Sequence, residues 1–334
     1  MKKILDNPLS VANDALDGMV LSSPDVLRRV PGKRIVLRKD APIKGKVTLV
    51  SGAGSGHEPG HVGYVGRGML DAAAMGDVFS APGAGDVLTA IQQADGGIGV
   101  LLVLPNYGGD VLNFSLAERK AREAGIRAEH ILVNDDVAIK ERSQRRGVGA
   151  AIFVEKIAGA FAERGRGGAT TLADVRRTAE TVVSNSGSMG VALAPCTIPA
   201  VGRPTFTIGE DELELGIGIH GEPGVERAKM MTADAISEYL VSRIAEDLHL
   251  ASGDRVAVMA QGMGGTSNME KFIFYRDVCR HLVSRGIVTT NSFVGEYTAS
   301  MEMQGVHLTL LRLTDELKGL LEDPTDAPAW HSWS

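Results

Sequence analysis

The order of apolar and polar positions divides the first half of the chain into alternating strands and helices. Apolar runs at 34–37 and 46–50 predict strands, and the uninterrupted run at 98–104 predicts a strand that is covered on both faces. Apolar residues at helical spacing mark the helices in between, at 111–124, 149–163 and 172–183. In the first of these, Leu112, Leu116 and Ala117 are expected on the inner face. This alternation predicts an α/β fold whose first domain is a three-layer α/β/α unit around a parallel sheet.

The sequence pattern changes near residue 184, where a stretch rich in glycine and serine predicts a connection between two domains. Further strands and helices follow and predict a smaller α/β domain with a mixed sheet, with strands at 205–208, 213–219, 255–260, 287–290 and 307–313 and helices at 233–248 and 267–285. We therefore expect two domains, residues 1–184 and residues 185–334. A short helix is predicted at 69–75. Trp330 and Trp333 are expected to pack the proline-rich tail onto the protein.

Composition narrows the class of partner. The chain has 334 residues and 44% apolar content, enough for a substantial core. Aromatic residues make up 4% and the net charge is −6, which argues against stacking on nucleic-acid bases and against binding to a phosphate backbone. Cys196 and Cys279 are far apart and suit reduced thiols. With no apolar leader or membrane-length segment in the sequence, we expect a cytoplasmic protein that contacts neither nucleic acid nor membrane.

Candidate chemistry is concentrated in two similar glycine-rich stretches. Residues 51–60 read Ser-Gly-Ala-Gly-Ser-Gly-His-Glu-Pro-Gly, and residues 218–224 read Gly-Ile-His-Gly-Glu-Pro-Gly. The first stretch lacks the Lys-Ser/Thr pair of a phosphate-binding loop, so nucleotide binding is disfavoured. We expect instead that the glycine loop at 52–56, with His57 at its tip, donates backbone N–H groups to the hydroxyls of a small polyol.

Structural explanations compete with each functional one. His57 alone suits a turn histidine, but the near repeat at His220 favours a shared function for the two rings. His57 and His61 are four residues apart across proline and glycine, which excludes a helical metal-binding pair, and we expect no metal. Asp110 is placed to cap the next helix and also to face a ligand at the strand end.

Three further features are weighed in the same way. Glu58 and Glu222 are expected to orient the histidines or to bind turn N–H groups. The glycine cluster at 261–266 is interpreted as a tight strand-to-helix turn. A hydrolase is disfavoured, because no G-x-S-x-G pattern sits between a strand and a helix.

Five stretches together resemble the K subunit of dihydroxyacetone kinase, in the same order and over essentially the whole chain: 54–59, 106–114, 135–138, 146–148 and 216–224. The resemblance implies a homodimeric subunit that binds a short ketose for phosphoryl transfer. It implies that His220 holds the ketose covalently as a hemiaminal, that His57 and Asp110 act as hydrogen-bonding and general-base residues, and that Gly54, Ser55 and Gly56 form the substrate loop. A neutral imidazole can trap a ketone, which distinguishes ketoses from glycerol.

The resemblance also implies where the nucleotide binds. No cofactor is expected on this chain, and ATP or ADP with Mg²⁺ is expected on a separate nucleotide-binding L-type subunit. The phosphoryl donor is left open between ATP and a phosphoenolpyruvate-dependent relay.

Pro105 departs from the family pattern, which places lysine at this substrate-contacting position. Loss of that cation makes a four-carbon or branched ketose such as erythrulose a candidate beside dihydroxyacetone. The alternative function is a catalytically silent ketose-binding regulator. Retention of His57, Asp110 and His220 together favours catalysis.

Overall fold

The structure is a computed structural model that describes residues 2–330. Its helices within this range are α1 (Val11–Ser22), α2 (Ala84–Ala94), α3 (Gly108–Glu123), α4 (Ala150–Arg164), α5 (Leu172–Ser184), α6 (Ala233–Asp247), α7 (Asn268–Ser284) and α8 (Asp315–Leu321). Its strands are β1 (Leu27–Arg29), β2 (Ile35–Arg38), β3 (Thr48–Ser51), β4 (Ala72–Ala74), β5 (Val100–Pro105), β6 (Ala128–Val133), β7 (Ser186–Ala194), β8 (Glu212–Leu215), β9 (Glu226–Lys229), β10 (Arg255–Gly262), β11 (Val288–Gly295) and β12 (Gln304–Arg312).

The first sheet has the order β1-β2-β4-β3-β5-β6. Strands β4, β3, β5 and β6 are parallel, whereas β1 and β2 join antiparallel at one edge. Every residue of β5 is buried, as its continuous apolar sequence predicts. Helices α2 and α3 cover one face of this sheet and α4 and α5 the other. The predicted three-layer arrangement is observed, with an antiparallel edge added to the parallel sheet.

The second sheet has the order β11-β10-β12-β7-β8-β9 and is mixed, because β10 and β11 are parallel and the remaining pairs are antiparallel. Helices α6 and α7 pack their apolar faces on one side of it. Two mixed sheets with helices packed on their faces confirm the predicted α/β class.

Helix α4 lies between the two sheets. Residues 150–160 are all buried, and the apolar side chains of α4 pack against Leu49 and Leu101 of the first sheet and Met259 and Phe293 of the second. We call this set the shared core. It crosses the predicted boundary at residues 184–185, and the division into residues 1–184 and 185–334 stays a prediction.

Several local predictions are wrong for identifiable reasons. Residues 69–75 do not form a helix, because the alanines of β4 pair with β2 and β3 in the centre of the sheet. The predicted connection after residue 184 is instead β7, a strand paired with β12 and β8. Residues 205–208 are not a strand. Leu112 is 70% exposed, whereas Ala117 is buried.

Glycines explain why β7 was missed. A Cβ on Gly187 would lie 3.0 Å from Ile244 of α6, and one on Gly190 would lie 2.7 Å from the His307 ring. The small residues that resemble a linker are therefore required by close packing. At the tail, Trp330 packs against Phe293 with ring centroids 4.8 Å apart, while Trp333 lies outside the described residues.

Phe153 tests the shared core. This fully buried α4 side chain meets Phe293 of β11 with ring centroids 5.7 Å apart. We predict that Phe153→Ala lowers the free energy of unfolding by about 3–5 kcal/mol, because it leaves a cavity between the layers. Denaturant unfolding would measure the change. Leu112→Ala is the control, since its exposed side chain should cost no more than about 0.5 kcal/mol; equal effects from the two variants would contradict the assignment.

Candidate functional site

The two histidines of the repeated motif meet where loops from the two sheets converge. His57 lies in the loop that follows β3, and His220 lies in the turn that follows β8. Their ring centroids are 4.7 Å apart and the rings are nearly perpendicular. The fold thus brings together two side chains that are separated by more than 160 residues in the sequence.

His57 is buried and held by one hydrogen-bonding contact. Its Nδ1 atom lies 2.8 Å from the carbonyl oxygen of Ala299, so that nitrogen carries the proton. Burial, together with the nearby charge of His220, lowers the pKa of His57 to about 3. The ring is therefore neutral near pH 7, and its Nε2 atom is an acceptor.

A carboxylate two residues away orients His220. Glu222 places one oxygen 2.7 Å from His220 Nδ1, while its other oxygen accepts a hydrogen bond from the His220 backbone N–H at 3.0 Å. Burial raises the pKa of Glu222, but the hydrogen bond and charge of His220 lower it to about 2 overall. The ionised carboxylate fixes the ring and leaves Nε2 as the nitrogen available for chemistry. The His220 side chain is 21% exposed, so the ring is reachable.

Glycines make this turn possible. A Cβ on Gly218 would lie 2.1 Å from a Glu222 carboxylate oxygen, and Gly221 has a φ of +87°. No other residue type would let the carboxylate fold back onto its own turn without strain.

The first glycine loop is shaped by protein contacts. The Ser55 N–H donates to the Asp77 carbonyl at 3.0 Å, and the Gly56 N–H lies 3.0 and 3.1 Å from the two Glu58 carboxylate oxygens. The Ser55 hydroxyl donates to the Gly76 carbonyl at 2.8 Å. Two of the N–H groups expected to contact a polyol are thus already paired, and the binding role of Gly54, Ser55 and Gly56 stays a prediction.

Two aromatic residues that the sequence did not single out complete the surroundings. Phe79 stacks on His57 with centroids 4.9 Å apart and meets His220 edge-on at 5.2 Å. Tyr107 also meets His220 edge-on, at 4.7 Å. Tyr107 lies inside the Asn-Tyr-Gly-Gly-Asp stretch, a motif from which the sequence could have identified it as a site residue. Phe79 has no motif, although its φ of +55° is a conformation that concentrates at functional sites.

The glycine loop packs directly on Phe79. A Cβ on Gly54 would lie 2.9 Å from the Phe79 Cα atom, and one on Gly56 would lie 2.9 Å from its ring. The loop glycines are therefore needed at least as much for this contact as for access of a ligand.

Asp110 lies in the first turn of α3. It does not cap this helix as predicted, because α3 begins at Gly108 and Tyr107 occupies the N-cap position. Burial raises the pKa of Asp110 to about 6, against the lowering effect of the charges on His61 and His220. A carboxylate with such a pKa can exchange a proton near neutral pH.

Three buried polar atoms around the histidine pair have no hydrogen-bond partner within residues 2–330: His57 Nε2, the Tyr107 hydroxyl and Asp110 Oδ1. Buried polar atoms normally have a partner, and their lack of one is typical of a site that a ligand completes. Pro105, the buried last residue of β5, has a side chain with neither a hydrogen-bond donor nor a charge. Over the same range, no group of three or more His, Cys, Asp or Glu side chains is arranged to hold a metal ion.

The glycine cluster at 261–266 packs against the segment that holds His57 in place. Buried Gln261 accepts hydrogen bonds from the backbone N–H groups of Tyr297 and Thr298 at 3.2 and 2.7 Å. A Cβ on Gly264 would lie 1.7 Å from the Met301 carbonyl oxygen. These contacts position the segment whose Ala299 carbonyl holds His57, which agrees with the structural interpretation of the cluster.

Together these features define a class: a two-sheet α/β protein whose candidate site is a pair of imidazoles beside a buried carboxylate. The family model described as Dak1 domain matches residues 17–329. The chain therefore belongs to the dihydroxyacetone kinase family and resembles the K subunit within it. No helix among residues 2–330 is long and apolar enough to cross a membrane.

Individual relatives cover nearly the whole chain. The dihydroxyacetone-binding subunit DhaK of the PTS-dependent dihydroxyacetone kinase 1 of Listeria innocua is 45% identical over 99% of this chain and 100% of its own. The crystal structure of the C. freundii dihydroxyacetone kinase with AMP-PNP and Mg²⁺ is 36% identical, with a TM-score of 0.90. It matches 98% of this chain, which spans 60% of that kinase. The operon co-activator Dha-DhaQ is 34% identical with a TM-score of 0.89, over 95% of this chain and 97% of its own.

The protonation state of His57 gives a direct test of the site. With a pKa of about 3, the ring should stay neutral from pH 8 to pH 5, with its proton on Nδ1 facing Ala299. Nitrogen-15 NMR of the imidazoles would show this tautomer, with the His57→Asn variant providing the assignment. Titration of this ring near pH 6.5 would show that it is not desolvated as described.

Proposed function

We propose that this chain is the ketose-binding subunit of a dihydroxyacetone-type kinase. The observation that carries the proposal is the placement of His220, oriented by Glu222 and 4.7 Å from His57, near the buried Asp110 carboxyl. The names of relatives that bind dihydroxyacetone support the substrate class.

In the proposed first step, His220 Nε2 attacks the ketone carbon of a short ketose. A C–N bond forms, the carbonyl π bond breaks, and the carbonyl oxygen takes up a proton. The carbonyl oxygen draws its proton from solvent and the ring releases its Nδ1 proton to solvent, so no net proton is gained, the hemiaminal is neutral and the Glu222 carboxylate stays ionised. Glycerol has no carbonyl to trap, and selectivity for ketoses thus rests on a covalent bond.

In the second step, the terminal hydroxyl of the bound ketose is phosphorylated. Asp110 accepts the hydroxyl proton as the phosphoryl group arrives, and His57 Nε2 and the Tyr107 hydroxyl hold the ketose through hydrogen bonds. Positioning supplies much of the rate in phosphoryl transfer. We propose that ATP or ADP with Mg²⁺ is bound by a separate L-type subunit. The phosphoryl group leaves its donor oxygen as it bonds to the ketose hydroxyl oxygen, and it comes either from ATP or from a phosphoenolpyruvate-dependent relay through that subunit.

We also propose that the chain acts as a homodimer in the cytoplasm. The free thiols of Cys196 and Cys279 suit a reducing compartment. Size-exclusion chromatography with light scattering would measure the assembly.

Substitution of the two central residues separates trapping from transfer. We predict that His220→Ala abolishes the ketose adduct and that Asp110→Asn retains the adduct but slows turnover by about 10²–10⁴-fold, the usual contribution of a general base. Intact-mass spectrometry and an assay with the donor subunit would measure the two steps. His281→Ala, at a surface ion pair with Asp234, is the control. An adduct at full strength in His220→Ala would refute the assignment.

Pro105 predicts the choice of ketose. Because this position carries no cation, we expect kcat/KM for erythrulose to equal or exceed that for dihydroxyacetone. Pro105→Lys should raise kcat/KM for dihydroxyacetone roughly tenfold, since it restores one charged hydrogen bond. A panel of three- to five-carbon ketoses, with glycerol as the negative control, would measure this. A preference for dihydroxyacetone that Pro105→Lys leaves unchanged would contradict the prediction.

A catalytically silent ketose-binding regulator is the second candidate. The similarity to the operon co-activator supports it. The buried Asp110 carboxyl beside the imidazoles favours catalysis, because a sensor needs no base. Turnover with the donor subunit separates the two functions.

A further inference from the structure

A second buried pair of titratable groups lies outside the mechanism described above. His61 Nδ1 contacts the Glu155 carboxylate of α4, and the same nitrogen lies 3.3 Å from the Ser51 hydroxyl. Glu155 and His61 are 0% and 2% exposed. Burial lowers the pKa of His61, but the Glu155 charge raises it more, so the net shift is upward. The pair therefore favours a positive imidazolium inside the protein.

The strands bring this cation close to Asp110. Ser51 ends β3, and its hydroxyl donates to the Val103 carbonyl of β5 at 2.8 Å. Asp110 follows β5 after a short turn, and the carboxyl ends of neighbouring parallel strands meet at one edge of the sheet. Among the charges that lower the pKa of Asp110, His61 has the largest effect, ahead of His220.

We propose that Glu155 and His61 are a positioning pair that keeps a positive charge near Asp110 and so keeps this carboxylate ionised to accept the substrate proton. The proposal rests on the kinase function proposed above and adds two residues to it. Neither residue touches the ketose, and both act through Asp110.

The chemistry of a buried ion pair supports this role. Two buried ionised groups are rarely more stabilising than apolar side chains of similar size, so retention of such a pair needs a reason beyond packing. Burial alone favours protonated Asp110, which could not act as a base. A cation nearby opposes that effect without contacting the ligand.

Among the described residues, few other ionisable groups influence Asp110 and His61. His61 and His220 are the charged side chains that act on Asp110. Glu155 and Asp110 are those that act on His61. The charge of His61 also lowers the pKa of His57, but that ring is already neutral. The charge of Glu155 raises the pKa of Tyr64, whose hydroxyl donates a hydrogen bond to the Tyr297 carbonyl.

The pH dependence of turnover tests the proposal. His61→Asn keeps a donor at the Nδ1 position and removes the charge, so the Asp110 carboxyl should lose protons only at higher pH. We expect the acid limb of the kcat profile to move up by about one pH unit. Turnover should then be about fivefold lower at pH 6 and unchanged above pH 8. Ketose adduct formation, which depends on His220, should keep its own pH profile.

The chain offers a matched control. His130 of β6 pairs with Glu118 of α3 through Nδ1 and a carboxylate oxygen 2.5 Å apart, in a half-exposed position. His130→Asn removes the same kind of pair from the same half of the chain. It should leave the acid limb in place.

Glu155→Gln is the second variant, because it removes the counter-charge that keeps His61 protonated and should move the limb in the same direction. His61→Asn with Glu155→Gln replaces the ion pair by a neutral one and covers the case in which a single variant does not fold. An unmoved acid limb in a folded, adduct-forming variant would show that the pair is structural. If the unmodified protein forms no ketose adduct, that result would instead contradict the kinase proposal itself.

Discussion

The contact between the imidazoles of His57 and His220 is the constraint on which the site depends. Each ring lies in a Gly-, Glu- and Pro-containing turn, and each glutamate accepts a hydrogen bond from the backbone N–H two residues before it. In the first turn that N–H belongs to Gly56. In the second it belongs to His220 itself, so the same local geometry also places Glu222 on the imidazole. One motif thus places two imidazoles, each in a loop that follows a strand of a different sheet, so that their rings meet.

Helix α4 connects this site to the rest of the protein. It fills the space between the sheets, so displacement of one sheet relative to the other disturbs the shared core before it separates the rings. Within this apolar helix Glu155 and Lys156 are both buried, and each has a partner: His61 for the carboxylate and the Leu320 carbonyl, 2.9 Å away, for the ammonium. The two buried charged groups of α4 therefore point in different directions, Glu155 toward the site and Lys156 toward α8.

The apolar runs of the sequence predicted β5, α5, α6 and α7 because burial dominates in those elements. Prediction failed where packing required small residues. The alanines of β4 and the glycines of β7 carry little information about burial, and only their neighbours reveal a strand. Asp110 was found from its position after a buried strand, but its helix starts three residues earlier than predicted. Phe79 could not have been found, since its role depends on a backbone conformation and on contacts with Gly54 and Gly56.

The two imidazoles differ in where their orientation originates. His220 is fixed by a carboxylate of its own turn, whereas His57 is fixed by the carbonyl of Ala299, 242 positions further along the chain. The geometry of His220 is therefore set within one short segment of the chain. The tautomer of His57 is set by a segment remote in sequence, so the orientation of this ring depends on the packing of the two halves of the chain against each other.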